Sequence, residues 1–337
     1  MEIFPSIHRI QVPIPDSPLV ATNVYYVRSP AGDLLIDTGW DCDEAFDALQ
    51  AGIHAAGGSW DDLCWVVLTH THPDHIGLLR RVAQHARPEV FIHPAEYDLV
   101  VRMNAAPADV EAVHREFTEC MAAHGAAART DWQLHRRQQA DISYAPGLLT
   151  EHLVEDGQLL PLAGLDLQVV WTPGHTPGHI CLYEAGRRLV FIGDHVLVSV
   201  NPNIGKDRLI EDPLGDYLAS LRKVGALEVE HVLTAHGPSF EGLKDRVDYL
   251  LEHHEARTRD ILGALEGGPR SAYSVARAIP WTDKRVHFDQ LPLFAQPVAF
   301  SQLLAHLDHL EKRGLVGHSE AGGRVRYGPA GFVAPPG

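Results

Sequence analysis

Four ligand-type side chains fall within the run Thr69-His70-Thr71-His72-Pro73-Asp74-His75, directly after the apolar stretch Trp65-Val66-Val67-Leu68. An extended segment alternates its side chains between faces, so His70 and His72 project to the same side. Asp74 and His75 follow where the chain begins to turn into a helix, and they approach from another direction. Imidazole and carboxylate suit a catalytic zinc, and they suit manganese or iron nearly as well. One such segment can serve two metals but completes neither, since each needs three or four protein ligands. The fold must therefore carry further ligands to this strand end from distant parts of the chain.

Three later segments offer them. Thr172-Pro173-Gly174-His175-Thr176-Pro177-Gly178-His179 is a tight loop after an apolar strand. Gly193-Asp194 follows the apolar strand 189–192, and Ala235-His236-Gly237-Pro238 follows another over 232–234. Four strand-end loops, each with a ligand-type residue, are consistent with one shared site at one edge of the sheets.

The remaining periodicities supply the frame. Runs at 7–14, 22–27 and 33–36 read as strands, and 41–56 reads as an amphipathic helix. A strand over 64–68, a helix from Asp74 to about Ala86 and a short strand over 89–93 follow. Residues 95–145 break the rhythm with a helix opening at Pro107 and ending near Gly125, and a second around 131–139. This insertion is either a lid over a cleft or a helical cover on the core. Strands at 165–171, 180–184 and 189–192, a helix over 213–224 and a strand over 231–234 complete two sheets packed face to face with helices outside. From about Gly242 the pattern is mainly helical, at 243–265, 271–279 and 298–312, and it closes with a hairpin turning at Ala321-Gly322-Gly323. Three helices and a hairpin make a winged-helix-like outline, with 328–337 disordered or peripheral. The expected domains are 1–242 and 243–337, as length predicts for 337 residues.

Composition narrows the function. No apolar stretch approaches the roughly 18 residues of a membrane helix. The N-terminal residues lack the basic and apolar regions of a secretory signal, so a cytoplasmic location is expected. Cys42, Cys64, Cys120 and Cys181 have no CxxC spacing, which argues against both disulfides and a thiolate metal site. The net charge of −16 disfavours binding to phosphate backbones. Residues 268–337 hold eight Lys/Arg against five Asp/Glu, so the acidic excess lies in the body of the chain. His179 is expected to buttress its loop and His93 to cap a strand end. His114, His124, His253, His254, His306 and His309 fall on helical segments and are expected to be solvated.

The ordered set of THTHPDH at 69–75, Pro173-Gly174-His175, Gly193-Asp194 and Ala235-His236-Gly237 resembles the metallo-β-lactamase superfamily over roughly residues 8–240. The resemblance implies an α/β (α+β) fold, an αββα sandwich with a dinuclear centre, here joined to a smaller, mainly helical C-terminal domain. It implies two divalent metal ions, Zn(2+) first, with Mn or Fe as alternatives. Carried over, His70, His72 and His175 hold one ion, Asp74, His75 and His236 the other, and Asp194 bridges both. Asp37, in Ile36-Asp37-Thr38-Gly39, resembles the aspartate that orients a ligand histidine. With its C-terminal part the chain is similar to the glyoxalase II-like and β-lactamase-like-protein-2 group.

A dinuclear site of this kind presents a metal-bound hydroxide to a carbonyl carbon, with Asp74 holding its metal and orienting the nucleophile's proton. No general acid stands out, which favours good leaving groups: a small-molecule thioester, ester or lactone. Asn203 and Lys206, in the loop after Asp194, are candidate substrate contacts; Asn201 there shapes a turn, and Tyr97 and Arg102 reach the site if the insertion is a lid. The expected partner is a small-molecule acyl substrate, with no nucleic acid and no membrane; a homodimer is an option, and the segment 281–300 docks either onto the catalytic domain or onto another subunit. The alternatives are a metal-dependent endoribonuclease, or β-lactam hydrolysis as a minor activity.

Overall fold

The computed structural model describes residues 1–105, 110–126, 146–206, 209–282 and 284–332. The helix expected around 131–139, the helix start at Pro107 and the end of the C-terminal tail lie outside the described residues. Described residues of 1–107, 141–202 and 220–247 form one compact unit; those of 108–140, 203–219 and 248–337 form a second.

The first unit is built on two sheets. The larger runs in the order β1 (Glu2–Phe4), β2 (Ile7–Pro13), β3 (Ala21–Val27), β4 (Asp33–Ile36), β5 (Leu63–Val67), β6 (Glu89–Ile92), β7 (Thr150–Leu153). Its strands β4 to β7 are parallel, so crossover connections must join them. Helices α1 (Asp43–Ala55), α2 (Pro73–Ile76) with α3 (Leu79–His85), and α4 (Pro94–Ala105) lie in those connections. The smaller sheet holds β8 (Leu159–Leu162), β9 (Leu165–Trp171), β10 (Ile180–Glu184), β11 (Leu189–Gly193) and β12 (His231–Thr234), in the reverse order β12 to β8. There β11 and β12 are parallel, and α6 (Pro213–Gly225) lies in the crossover between them.

Side-chain alternation divides the core in two. Tyr25, Val27, Leu34, Ile36 and Val67 meet Leu167, Val169, Leu182, Leu189 and Phe191 between the sheets. The opposite faces of the same strands, with Tyr26, Leu35 and Val66, pack on Leu49 and Ile53 of α1 and Leu79 and Val82 of α3. A strand covered on both faces needs no polar side, which is why β4 reads as Asp-Leu-Leu-Ile and is buried throughout. Strands β1, β7 and β8 carry weak sequence signals. The short, largely exposed strand β7, Thr-Glu-His-Leu, forms because β6 offers it a parallel edge. Edge strand β8 contains Pro161, which an interior strand would exclude.

The single helix expected over 74–86 is instead broken at Gly77-Leu78. Gly77 packs so closely on its neighbours that a Cβ there would lie 2.4 Å from the Pro73 carbonyl oxygen, 2.7 Å from the Asp41 nitrogen and 2.8 Å from the Gly39 oxygen. Leu78 then donates its N–H to Gly39 O at 3.0 Å. His93 directly follows β6, and its Nδ1 accepts the N–H of Ala95 at 3.2 Å, at the start of α4.

The second unit contains α5 (Val110–Ala123), most of α7 (Leu243–Leu265), α8 (Ala272–Ala278), α9 (Ala295–Lys312) and the hairpin β13 (Val316–Ala321)–β14 (Arg324–Pro329). Its separate core joins Met121, Ile261, Leu265, Val275, Phe288, Phe300, Leu303, Leu307 and Tyr327. Gly322 and Gly323 have φ of 58° and 69°, the left-handed pair a two-residue hairpin turn requires. His124, His254 and His306 are buried, contrary to the solvated reading. His306 Nδ1 donates to Gln302 O at 2.9 Å, and its Nε2 lies 3.3 Å from His254 Nδ1, so the pair is buried with the helices. Burial pushes the pKa of His306 down to about 3, so it is neutral at ordinary pH.

Gly77→Ala is expected to destabilise the protein by about 1–3 kcal/mol, because the clash is with backbone that cannot rotate away. A urea midpoint equal to that of the wild type would show that the turn accommodates a methyl group.

Candidate metal centre

Every expected ligand lies just beyond the C-terminal end of a strand in the first unit: His70, His72, Asp74 and His75 after β5, His175 after β9, Asp194 after β11 and His236 after β12. The structure brings them together in two groups, one of His70, His72, His175 and Asp194 and one of Asp74, His75 and His236. In the first, His70 Nε2 and His175 Nε2 are each 3.0 Å from His72 Nδ1, and His175 Nε2 is 3.6 Å from Asp194 Oδ2. In the second, Asp74 Oδ2 is 3.2 Å from His236 Nε2 and 3.7 Å from His75 Nε2. Asp194 also faces this second group, with Oδ2 3.7 Å from His75 Nε2 and Oδ1 3.3 Å from His236 Nε2.

These separations fit divalent ions. Bonds of about 2.0–2.2 Å in a tetrahedron place ligand atoms roughly 3.3–3.6 Å apart. His75 Nε2, His236 Nε2 and Asp194 Oδ1 are buried and have no hydrogen bond of proper geometry, although their residues make other contacts. Buried polar atoms are rarely left in that condition, and a cation shared among them would satisfy all three.

The other ring nitrogens are held from behind. His236 Nδ1 donates to Ala21 O at 3.0 Å. His75 Nδ1 donates to Asp37 Oδ2 at 2.8 Å. The same carboxylate accepts the Thr69 hydroxyl (2.8 Å) and the Thr69 N–H (2.8 Å), and Thr69 Oγ1 lies 3.1 Å from His70 Nδ1. Asp37 thus stands directly behind His75 and, through Thr69, behind His70. Its φ of 61° is a left-handed conformation that a non-glycine residue adopts at a cost. His179 accepts the N–H of Asp194 at its Nε2 (3.2 Å), and its Nδ1 meets Thr172 Oγ1 at 2.8 Å, so it anchors both the loop and the carboxylate.

Charge is divided unequally. Burial disfavours protonation of His70 and holds its pKa well below the ordinary value. Burial, with His175 beside it, takes His72 down to about 3. For His75 burial acts the same way, but Asp37, Asp74 and Asp194 outweigh it and lift its pKa well above normal. Asp194 and Asp74 likewise overcome burial at His236, raising it to about 10. Against burial, His75 and His236 lower Asp74 to about 2.

Two side chains escaped the sequence reading. Asn23, 1% exposed, donates its Nδ2 hydrogens to Thr234 O (3.0 Å) and Gly237 O (2.8 Å), bracketing His236. Glu96, fully buried in the first turn of α4, bonds to two ligand loops. Neither has a spacing signal. Of the expected substrate contacts, Asn203 Oδ1 accepts Gln302 Nε2 at 3.2 Å and Lys206 pairs with Asp308 at 2.8 Å, all within the second unit. Asn201 Oδ1 accepts Arg246 Nη2 at 2.9 Å, Tyr97 packs on the core beneath the larger sheet, and Arg102 is exposed.

The chain is similar to known proteins. The family model described as Metallo-beta-lactamase superfamily matches residues 17–236. The "Beta-lactamase-like protein 2 homolog" of Caenorhabditis elegans is 24% identical over 74% of this chain; the match covers 66% of that relative, so the chain spans less than two thirds of its length. The "Probable metallo-hydrolase YqjP" of Bacillus subtilis is 27% identical over 90% of the chain and 91% of its own length. A solved metallo-beta-lactamase family protein from Thermus thermophilus superposes with a TM-score of 0.79 at 28% identity, covering 97% of this chain and all of that one.

Two outcomes follow from the electrostatics. An ion entering the second group must displace the protons that the neighbouring carboxylates hold on His75 and His236, so affinity rises as pH rises through neutrality. Calorimetric titration in buffers of different ionisation enthalpy should register proton release at pH 7; zero release would contradict the raised pKa. Asp37→Asn removes a charge behind both groups and is expected to weaken metal binding about ten- to a hundredfold, as measured by chelator competition.

Proposed function

The chain belongs to the metallo-beta-lactamase superfamily, and from that premise we propose a dinuclear metal-dependent hydrolase of small-molecule thioesters, esters or lactones. In this reading His70, His72 and His175 hold one divalent ion, Asp74, His75 and His236 the other, and Asp194 serves both. The observation that carries it is the position of Asp194, whose two oxygens face imidazoles of both groups at 3.3–3.7 Å. Zn(2+) suits the His/Asp donors best, with manganese or iron as alternatives. Bound there, divalent ions would supply an acidified water as nucleophile and an electrophile for the substrate carbonyl.

The chain's own residues do the rest. Asp37 and Ala21 O fix which nitrogen each of His75 and His236 turns inward. Asp74 is half-buried and held ionised by His75 and His236, with Thr22 Oγ1 3.4 Å from its Oδ2, so this carboxylate can orient the proton of a water at the centre. His72 is half-buried too, so it and Asp74 lie toward the more open side of the centre. Among the described residues, the contacts given above bring no acid to the cluster beyond its ligands and Asp37. A leaving group such as a thiolate, with a pKa around 8.5, departs without one, and this favours thioesters and activated esters over amides.

The net charge of −16 weighs against a long polyanionic substrate, and so against the endoribonuclease alternative. The C-terminal helices and hairpin we read as a winged-helix-like module that packs, or dimerises, instead of binding nucleic acid. Among the described residues the four cysteines form no disulfide, which fits a reducing, cytoplasmic setting.

Metal analysis joined to a panel of acyl-thioesters, lactones and p-nitrophenyl esters tests the proposal. The expected result is two equivalents of metal and hydrolysis abolished by chelation. His72→Ala should lower that activity by more than the roughly hundredfold typical of an outer partner of a metal ligand. Full activity and full metal content in His72→Ala would end the reading.

A further inference from the structure

We propose that Glu96 is a positioning residue for the first group of ligands, fastening the loop that bears His70 and His72 to the loop that bears His175. Its Oε2 accepts the N–H of Thr71 at 2.8 Å and the Thr71 hydroxyl at 2.5 Å. The other oxygen, Oε1, accepts the N–H of Gly178 at 2.8 Å. Thr71 lies between the two histidines in sequence, and along an extended segment its side chain points away from theirs. The carboxylate therefore grips the segment from the side opposite the ligands. Gly178 follows His175 by three residues, at the far end of the same tight loop.

Two further observations show that this approach is built into the fold. A Cβ on Gly178 would lie 2.8 Å from Glu96 Cγ, from the Glu96 nitrogen and from His93 Nδ1, so the loop can seat itself on the carboxylate only with glycine there. The start of α4 is also braced against the second loop. His93 stacks on Trp171 with ring centroids 5.2 Å apart and planes 8° apart, and Trp171 Nε1 donates to Pro177 O at 3.0 Å.

Energetics make the clamp selective. A carboxylate without exposure is costly unless several donors satisfy it, and here the three donors belong to the two loops. Parting the loops would strand it. None of these bonds goes to Asp74, His75 or His236: Thr22 Oγ1 stands by Asp74, Asp37 holds His75, and Ala21 O holds His236. Glu96 acts on one group of ligands, whereas Asp37 stands behind both.

The inference rests on His70, His72 and His175 binding one ion, and its test separates the two ideas. The full chain, stripped with a chelator, is titrated with Zn(2+) against a chromophoric competitor as wild type, E96Q, T71V and H72A. E96Q keeps the shape but turns an amide donor toward a backbone N–H; T71V deletes only the hydroxyl bond. E96Q is expected to weaken by about ten- to a hundredfold the same ion that H72A loses, and to leave the other unchanged. T71V should weaken that ion to a smaller degree, with metal-free melting close to wild type. Unchanged affinities, equal weakening of both ions, or weakening that only tracks a lower melting temperature would overturn the role of Glu96. T71V decides on the same criteria if E96Q does not fold. A wild type that takes up fewer than two ions would instead sink the dinuclear reading itself.

Discussion

Asp194 is a buried carboxylate placed among imidazoles of two ligand groups, and much of the first unit serves to make that tolerable. A charge so far from water must be met by donors or cations, or it would not remain ionised. His236 and His75 face it, and His179 accepts the N–H of its backbone. The preceding Gly193 has φ of 53°, and a Cβ on it would lie 2.6 Å from His179 Nε2, so the carboxylate reaches its place only because the strand ends on glycine. Strand order then follows a chemical requirement. The ends of β4, β5, β9, β11 and β12 must lie at one edge, because each delivers a group that the others leave unsatisfied.

The parts of this arrangement that the sequence reveals are local. Each ligand follows an apolar run that stops abruptly, and the residue after a buried strand is where a polar group can emerge. Strands β4, β9, β10 and β12 and the helix over 243–265 are legible for the same reason, since their periodicity is uninterrupted. What stays hidden depends on tertiary approach. The break at Gly77 comes from the backbone of Gly39 and Asp41, more than thirty residues earlier, and nothing in 74–86 announces it. Glu96 occupies a helix's first turn, where an acidic residue is ordinary because it favours the helix dipole. Its burial arises only when two loops close over it.

The second unit hides its polar core in a similar way. His254 and His306 lie on helical segments whose histidines read as solvated, yet each neutral ring supplies the other with a hydrogen-bonding partner, and the pair is buried with Leu303 and Leu307. The described residues of 203–219 illustrate a different limit. Spacing arguments treat a domain as one continuous stretch, whereas this segment leaves the first unit for the second and later returns. There Lys206 pairs with Asp308, and Asp212 meets His309 at 2.9 Å. The partners of Asn203 and Lys206, Gln302 and Asp308, come from about a hundred residues away, where no local pattern announces them.

Ring orientation connects the packing to the chemistry. A neutral imidazole offers a lone pair from one nitrogen only, so the hydrogen bond at the other nitrogen decides where it points. Ala21 O makes that choice for His236, and Ala21 is the first residue of β3, fixed by pairing with Pro13. Asp37 makes it for His75, and its backbone N–H is itself fixed to Val67 O at 2.9 Å. Thr69 passes the same constraint to His70. The inward-facing nitrogens are therefore specified by strand pairing before any ion arrives, and a shift of register in the larger sheet would change the chemistry of the centre without altering one of its ligands.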